Sequence, residues 1–265
     1  MEDIEDQKLI LQNKSNRGDF PRIMGFNKTS EAGFDVFASS IFLFGCNMRC
    51  PYCMNGRLVV EKERDWRNPV KEVDMGYIKN HIQKNSVEWV MISGGEPTLT
   101  PLPKLNNLID EIRSWGCKVG ISTNGTNPDV IKYILCKLNY VALDLKSSDP
   151  LAYEELEVRS HKKKECFANF LKTKSLLCKE SKERDNFRYE LRTTLYPEYF
   201  SLNSVEEICG IIREDETWVF QQYRHAKNML DEDRAKKQNP YGMNELDKIV
   251  EKASTYCPNV KLRYV

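Results

Sequence analysis

The sequence predicts an α/β fold, with a parallel six-stranded barrel as its main domain. Two observations predict it. From about residue 38 onward, short β-branched or apolar runs alternate with longer segments of helical periodicity, which is the mark of βαβ units. The chain has 265 residues, 40% of them hydrophobic, enough to bury one sizeable core, and α/β barrels of this length are ordinary. Strands are expected at 38–44, 88–92, 118–122, 140–145, 188–195 and 217–222.

Residues 1–22 are expected to form an N-terminal extension ahead of the main domain, 23–265. The extension opens on the acidic MEDIEDQK and is poor in large apolar groups, so it should be loosely held. The first strand runs into GCNMRCPYCMNG, where Pro51 restrains the chain and Asn55-Gly56 makes a turn, so this run reads as a loop. After the second strand, Thr100 and Pro101 supply an N-cap and a pre-set first turn. Leu102, Leu105, Leu108, Ile109, Ile112 and Trp115 then line one helix face, which Gly116 ends. Asn127-Pro128 starts the next helix, with Val130, Ile131, Ile134, Leu135 and Leu138 as its stripe. Further helices are expected near 164–182 and 242–254, and Ser204 with Glu207 forms a capping-box pattern. The charged HKKKE at 161–165 reads as a solvated helix start or loop.

Forty basic against thirty-nine acidic side chains leave a formal charge of +1. That balance gives no global electrostatic case for nucleic acid or an anionic membrane. The longest strongly apolar run, 36–44, is about half of what a bilayer span needs, and the N-terminus lacks the pattern of a secretion signal. A soluble, cytoplasmic protein is therefore expected, in which nine cysteines do not form a disulfide framework; Cys117, Cys136, Cys166, Cys178, Cys209 and Cys257 are scattered singly.

The other three, Cys46, Cys50 and Cys53, fall within eight residues. Three readings compete: buried small residues, a structural zinc with a distant fourth ligand, or a cubane iron-sulfur cluster with one iron lacking a protein ligand. A structural zinc site closes its shell, and cubane clusters usually take four cysteines. In the third reading the missing ligand is functional, because an iron with an open position can bind a substrate or cofactor.

CNMRCPYC resembles the CxxxCxxC signature of the radical S-adenosylmethionine (SAM) enzymes, including the aromatic Tyr52 directly before the third cysteine. Within that superfamily the chain resembles the activating proteins of anaerobic ribonucleoside-triphosphate reductase. The matching stretches are IMGFNKTS, FLFGCNMRCPYCMNGRLV, VMISGGEPTL, ISTNGTNP, YVALDLKS, YELRTTLYP and VFQQYR, spread over about 23–225. The resemblance implies a partial (β/α)6 TIM-like barrel, a [4Fe-4S] cluster on Cys46, Cys50 and Cys53, and SAM on the fourth iron. It also implies reductive cleavage of SAM to a 5′-deoxyadenosyl radical, which takes a hydrogen atom from a glycine of a partner enzyme. The electron would come from a low-potential donor such as flavodoxin or ferredoxin. No nucleic-acid or membrane partner is expected.

The other motifs fall at strand ends, where the loops of a parallel barrel gather chemistry. Ser93-Gly94-Gly95-Glu96-Pro97 follows the second strand; a tight turn explains its glycines but not Glu96. By resemblance, Gly94, Gly95 and Glu96 hold the methionine amino group of SAM. Ser122 and Asn124 suit a ribose or carboxylate, although Asn-Gly also simply makes turns. Asp144 and Lys146 share one face of an apolar strand, where ionisable groups are costly unless paired or used; by resemblance they lie near SAM and the substrate backbone and, with the cysteines, carry the reaction. Arg192 could meet the SAM carboxylate or form a salt bridge with Glu190 or Asp144. Gln222 and Tyr223 end the last strand facing the same mouth, and His225 is expected to be exposed; by resemblance Tyr52 neighbours the adenine. The competing readings are a radical SAM enzyme acting on a small molecule or peptide, such as a deazapurine-forming relative, and a non-catalytic zinc or iron-sulfur module. The resemblance assigns the extension no role.

Overall fold

The apolar and β-branched runs become the strands of one sheet. The structure, a computed structural model, describes residues 18–31, 37–59, 72–156, 165–227 and 229–264. Among these, eight strands lie side by side in chain order: β1 (Ile23–Glu31), β2 (Phe37–Leu43), β3 (Trp89–Gly94), β4 (Lys118–Thr123), β5 (Tyr140–Asp144), β6 (Arg188–Thr194), β7 (Trp218–Gln221) and β8 (Val260–Arg263). β2 to β8 pair in parallel, and β1 runs antiparallel to β2. Parallel neighbours need long crossovers. Helices α1 (Gly56–Val59), α2 (Met75–Lys84), α3 (Leu102–Ser114), α4 (Pro128–Ile134), α5 (Pro150–Leu156), α6 (Cys166–Glu183), α7 (Ser204–Cys209), α8 (Glu232–Lys236) and α9 (Met243–Ser254) lie in those connections. The result is a partial barrel with β1 and β8 as its edges.

All six expected strands are present within two residues of their expected ends, and two more flank them. The additional pair is inconspicuous in sequence for a physical reason. β1 reads IMGFNKTSE, half polar, and pairs with only β2 through two register shifts; β8 is four residues long and pairs with only β7 among the described strands. Edge strands carry weak alternation because a single ladder holds them.

The sheet separates two kinds of interior. Ile41 and Leu43, Val90 and Ile92, Val119 and Ile121, and Val141 and Leu143 point outward into one large core with the α3 residues Leu105, Leu108, Ile109 and Ile112. Each such side chain contributes on the order of 2 kcal/mol through burial. Alternate residues of the same strands point into the barrel, where a small cluster of Ala38, Met91, Tyr140 and Ala142 fills the floor. Above that floor the inward positions turn polar, and the mouth opens there.

The helix ends depart from expectation in three places. Thr100 does not cap α3: its amide closes the 3-10 turn Pro97–Leu99 at 3.0 Å, and Pro101 occupies the N-cap without a side-chain bond. Asn127 does sit at the N-cap of α4, but its side-chain amide donates to Thr98 Oγ1 at 2.9 Å instead of capping the helix. Ser204 and Glu207 form no capping box, since Asn203 is the N-cap of α7 and Glu207 accepts from Ser148 Oγ at 3.0 Å. Gly116 ends α3 at a φ of +84°, as expected. α2 was not expected; its buried face rests on Ile78 and Ile82, and Asp74 caps it.

Residues 1–17 of the extension, and His161 to Lys164 of HKKKE, lie outside the described residues. The described end of the extension is tied down: Asp19 O accepts from Asn107 Nδ2 at 3.1 Å, and Phe20 packs against the core. Among the described residues no helix is long and apolar enough to cross a membrane.

Candidate active site

The loop after β2 carries Cys46, Cys50 and Cys53 and is fastened to four other parts of the chain. Glu96 N donates to Gly45 O at 2.7 Å, and Asn55 Nδ2 to Gly94 O at 2.9 Å. Arg49 N donates to Leu156 O at 2.6 Å, and Leu230 N to Cys53 O at 3.0 Å. Asn47, which the sequence reading passed over, bonds to both Thr126 Oγ1 and Asn124, each at 2.8 Å. The loop is thus held from the ends of β3, β4 and α5 and from the segment before α8.

Gly94 and Gly95 have a role the sequence did not show. Gly94 has a φ of +112°, and a Cβ there would stand 2.3 Å from Leu43 O; at Gly95 it would stand 1.9 Å from Gly45 O. The two glycines let the end of β3 press against the entry to the cysteine loop. Glu96 is then turned inward. Its Oε1 accepts from Thr98 N at 3.1 Å, Thr98 Oγ1 at 2.5 Å and Thr123 Oγ1 at 2.7 Å, and its Oε2 accepts from Asn124 N at 2.7 Å. Burial pushes this carboxyl above its ordinary range, and the four donors oppose that push. Oε2, with a single partner among the described residues, keeps capacity toward the cavity.

A cavity of about 470 Å3 opens at the C-terminal ends of the strands, within the size range of small-molecule sites. The three cysteines, Tyr52, Gly94, Gly95, Glu96, Ser122, Asn124, Asp144, Lys146, Gln222 and Tyr223 all border it. Asn124 also spends its side chain on Asn47, Thr126 and the loop. The Lys146 ammonium meets Asp144 Oδ2 at 2.8 Å. Burial alone would lower its pKa, but Asp144 holds it well above the usual lysine range, so the cation persists beside Cys50. Tyr52 is buried with its ring 4.8 Å from that of Tyr196.

Arg192 lies deeper than the cavity wall. Its Nε pairs with Glu190 Oε1 at 2.5 Å and its Nη2 donates to Tyr140 Oη at 3.0 Å, so the side chain forms a salt bridge with Glu190. His225 is exposed and 3.2 Å from Tyr223 Oη. Besides Asn47, the sequence reading missed Asn27, Thr194 and Gln221 as wall residues. Alternation along β6 and β7 was the available signal. A larger groove of about 1090 Å3 lies on the outer surface between α6 and α7 and contains none of the candidate residues.

Burial pushes the Cys46 thiol up to about 12, helped by the Glu96 charge, and the Cys53 thiol up to about 11, helped by Cys50; Cys50 is raised as well. Such thiols stay protonated until a cationic centre replaces the protons. Among the described residues no three His, Cys, Asp or Glu side chains converge on a site for one metal ion. The three thiols border one cavity, and an all-sulfur donor set is the kind that iron-sulfur clusters take.

A partial parallel barrel with a three-thiol loop after its first parallel strand and a Gly-Gly-Glu turn after the next is the architecture of a cluster-and-SAM enzyme. The radical SAM superfamily profile matches residues 40–182, and the chain belongs to that superfamily. Its cofactors are a [4Fe-4S] cluster and S-adenosylmethionine. The chain is 31% identical over 231 residues to a Methanocaldococcus jannaschii protein named "Putative glycyl-radical enzyme activating enzyme", covering 85% of this chain and 88% of that one. It is 30% identical over 132 residues to the 7-carboxy-7-deazaguanine synthase of Haemophilus influenzae, covering 49% of this chain and 54% of that one. A solved structure of TYW1 with a lysine-pyruvate adduct superposes with a TM-score of 0.55 at 20% identity, over 83% of this chain and 74% of that one, a likeness of fold.

Proposed function

We propose that this protein is an activase that installs a glycyl radical on a partner enzyme, and that the partner is an anaerobic ribonucleoside-triphosphate reductase. The observation that carries the reading is the extent of the likeness. The activating-enzyme relative matches across 88% of its own length, whereas the deazaguanine synthase matches across 54% of its length. Half-length similarity speaks for shared cofactor chemistry; near-full-length similarity also includes the far barrel wall, where a substrate must sit.

In this reading Cys46, Cys50 and Cys53 hold three irons. When bound and reduced, the cluster and SAM supply one-electron cleavage of a carbon-sulfur bond and, through it, hydrogen-atom abstraction from an unactivated carbon. The chain's residues bind and orient. The backbone of Gly94 and Gly95 and the free side of Glu96 Oε2 receive the methionine amino group, and Lys146 offers its ammonium to the carboxylate. Ser122 and Asn124 border the ribose, and Tyr52 and Gln222 border the adenine end. Asp144 keeps Lys146 charged and in place at 2.8 Å. Arg192, the strand partner of Asp144, keeps its own side chain on Glu190. The electron comes from a low-potential donor of the flavodoxin or ferredoxin kind, and the protein works in the cytoplasm.

The test is electron paramagnetic resonance on the reconstituted, reduced protein mixed with SAM and the reductase. A glycyl-radical doublet on the reductase is expected. Turnover of a deazapurine precursor with no radical on any reductase would replace this reading with the small-molecule one.

A further inference from the structure

The cavity has two groups of lining residues. One comprises the thiols, the Gly-Gly-Glu turn and the Asp144–Lys146 pair. The others come from the flanking strands: Asn27 of β1, Phe42 of β2, Thr194 of β6, Gln221 of β7, and Arg224 just beyond. The cofactor reading uses none of this second group.

Gln221 belongs to this second group. It is the last residue of β7, Cα-paired with Thr194 on β6 and Arg263 on β8. Trp218 and Phe220 on the same strand pack outward in the main core, so Gln221 faces inward by alternation. The neighbouring Gln222 donates its Nε2 to Tyr241 O at 3.2 Å. Gln221, half-buried, makes no side-chain hydrogen bond to another described residue. A primary amide offers donors and an acceptor together. Here that pairing capacity is left over at a cavity where Glu96, Asn124 and the Asp144–Lys146 pair are engaged with neighbouring groups.

Glycine gives an enzyme no side chain to grip, so a target glycine must be positioned through its backbone. The complement of a peptide group is a neutral group that both donates and accepts. A small carboxylated substrate would instead need a cation within the wall, and Arg224 stands at the exposed rim. We propose that Gln221 is a substrate-binding residue whose side-chain amide holds the backbone of the target glycine's segment, with Thr194 beside it. This rests on the activase reading above.

The test compares the wild-type holoenzyme with Gln221→Met, which keeps volume and removes both hydrogen-bonding functions, and Gln221→Glu, which keeps only acceptors when ionised. The substrates are the intact reductase and a short synthetic peptide spanning its radical-site glycine. The readouts are KM for the peptide, glycyl-radical spins formed per SAM cleaved, cluster absorbance and melting temperature. Both variants are expected to show wild-type cluster absorbance and melting temperature, with KM raised about tenfold and spins per SAM lowered about tenfold, the scale of one to two lost hydrogen bonds. Wild-type KM and wild-type coupling in both variants would overturn the assignment of Gln221 while leaving the activase reading intact. Failure of the wild-type protein to form any glycyl radical would overturn the reading itself, and this assignment with it.

Discussion

Asn124 Nδ2 donates to Asn47 Oδ1 at 2.8 Å, joining residues 77 apart in the chain. Asn47 Nδ2 in turn donates to Thr126 Oγ1 at 2.8 Å, so one side chain bolts the cysteine loop to the end of β4. The three cysteines themselves do not make this connection.

Asn47→Ala removes both bonds and strands Asn124 in a buried site. The expected cost is about 2 kcal/mol, read as a lower melting temperature of the iron-free protein. Iron bound after reconstitution should fall while all three cysteines remain. Unchanged melting and full iron content would show that the loop is positioned without this clamp.

Gly95→Ala tests the close approach of β3 to the loop. A Cβ 1.9 Å from Gly45 O has no room, and the obstacle is backbone. The substitution should cost about 3 kcal/mol or more and lose cluster binding, checked by thermal unfolding and by iron analysis. Gly242→Ala, where the nearest atom to an added Cβ is a flexible carboxylate 3.6 Å away, should be tolerated in the same assays.

Cys50→Ala should abolish the cubane and SAM cleavage together, whereas Cys136→Ala, on an exposed thiol outside the cavity, should leave both. Visible absorbance after anaerobic reconstitution and product formation from SAM decide the matter. A cubane retained in the Cys50 variant would contradict the ligand assignment.

Glu190 supplies a pH signature. Burial alone would raise its pKa, but Arg192 and Arg263 hold it below the ordinary 4.5. A carboxyl depressed in the folded state adds stability above its unfolded pKa and loses it as pH falls through the folded value. Denaturant midpoints should therefore drop as the pH is lowered below about 4.5. Glu190→Gln should flatten that acid limb and cost about 3 kcal/mol at pH 7, because two largely shielded guanidiniums lose their counter-charge. An acid limb of equal slope in the variant would assign it to other carboxylates.

The inner parallel strands were legible because apolar and β-branched runs alternate there with segments of helical periodicity. Lys118–Thr123 and Tyr140–Asp144 emerge where expected for that reason. The edges β1 and β8 were not legible, since one is half polar and the other four residues long. Thr100, Asn127 and Ser204 misled as caps because their hydrogen bonds, or those of the neighbouring turn, went to other partners once the helices were packed.

At the site, sequence by itself determined the chemistry: three thiols at a spacing suited to one soft centre, a Gly-Gly-Glu turn, and an Asp-Lys pair at strand ends, all local patterns. Only the tertiary structure decided how they are held and what else they face. That Gly94 and Gly95 serve the approach of two strand ends, that Arg192 belongs to Glu190, that Asn47 clamps the loop and that Gln221 borders the same cavity as the thiols all depend on residues distant in the chain meeting in space. Local periodicity records which face a residue takes, but partners between strands are chosen by register and packing, which no single segment encodes.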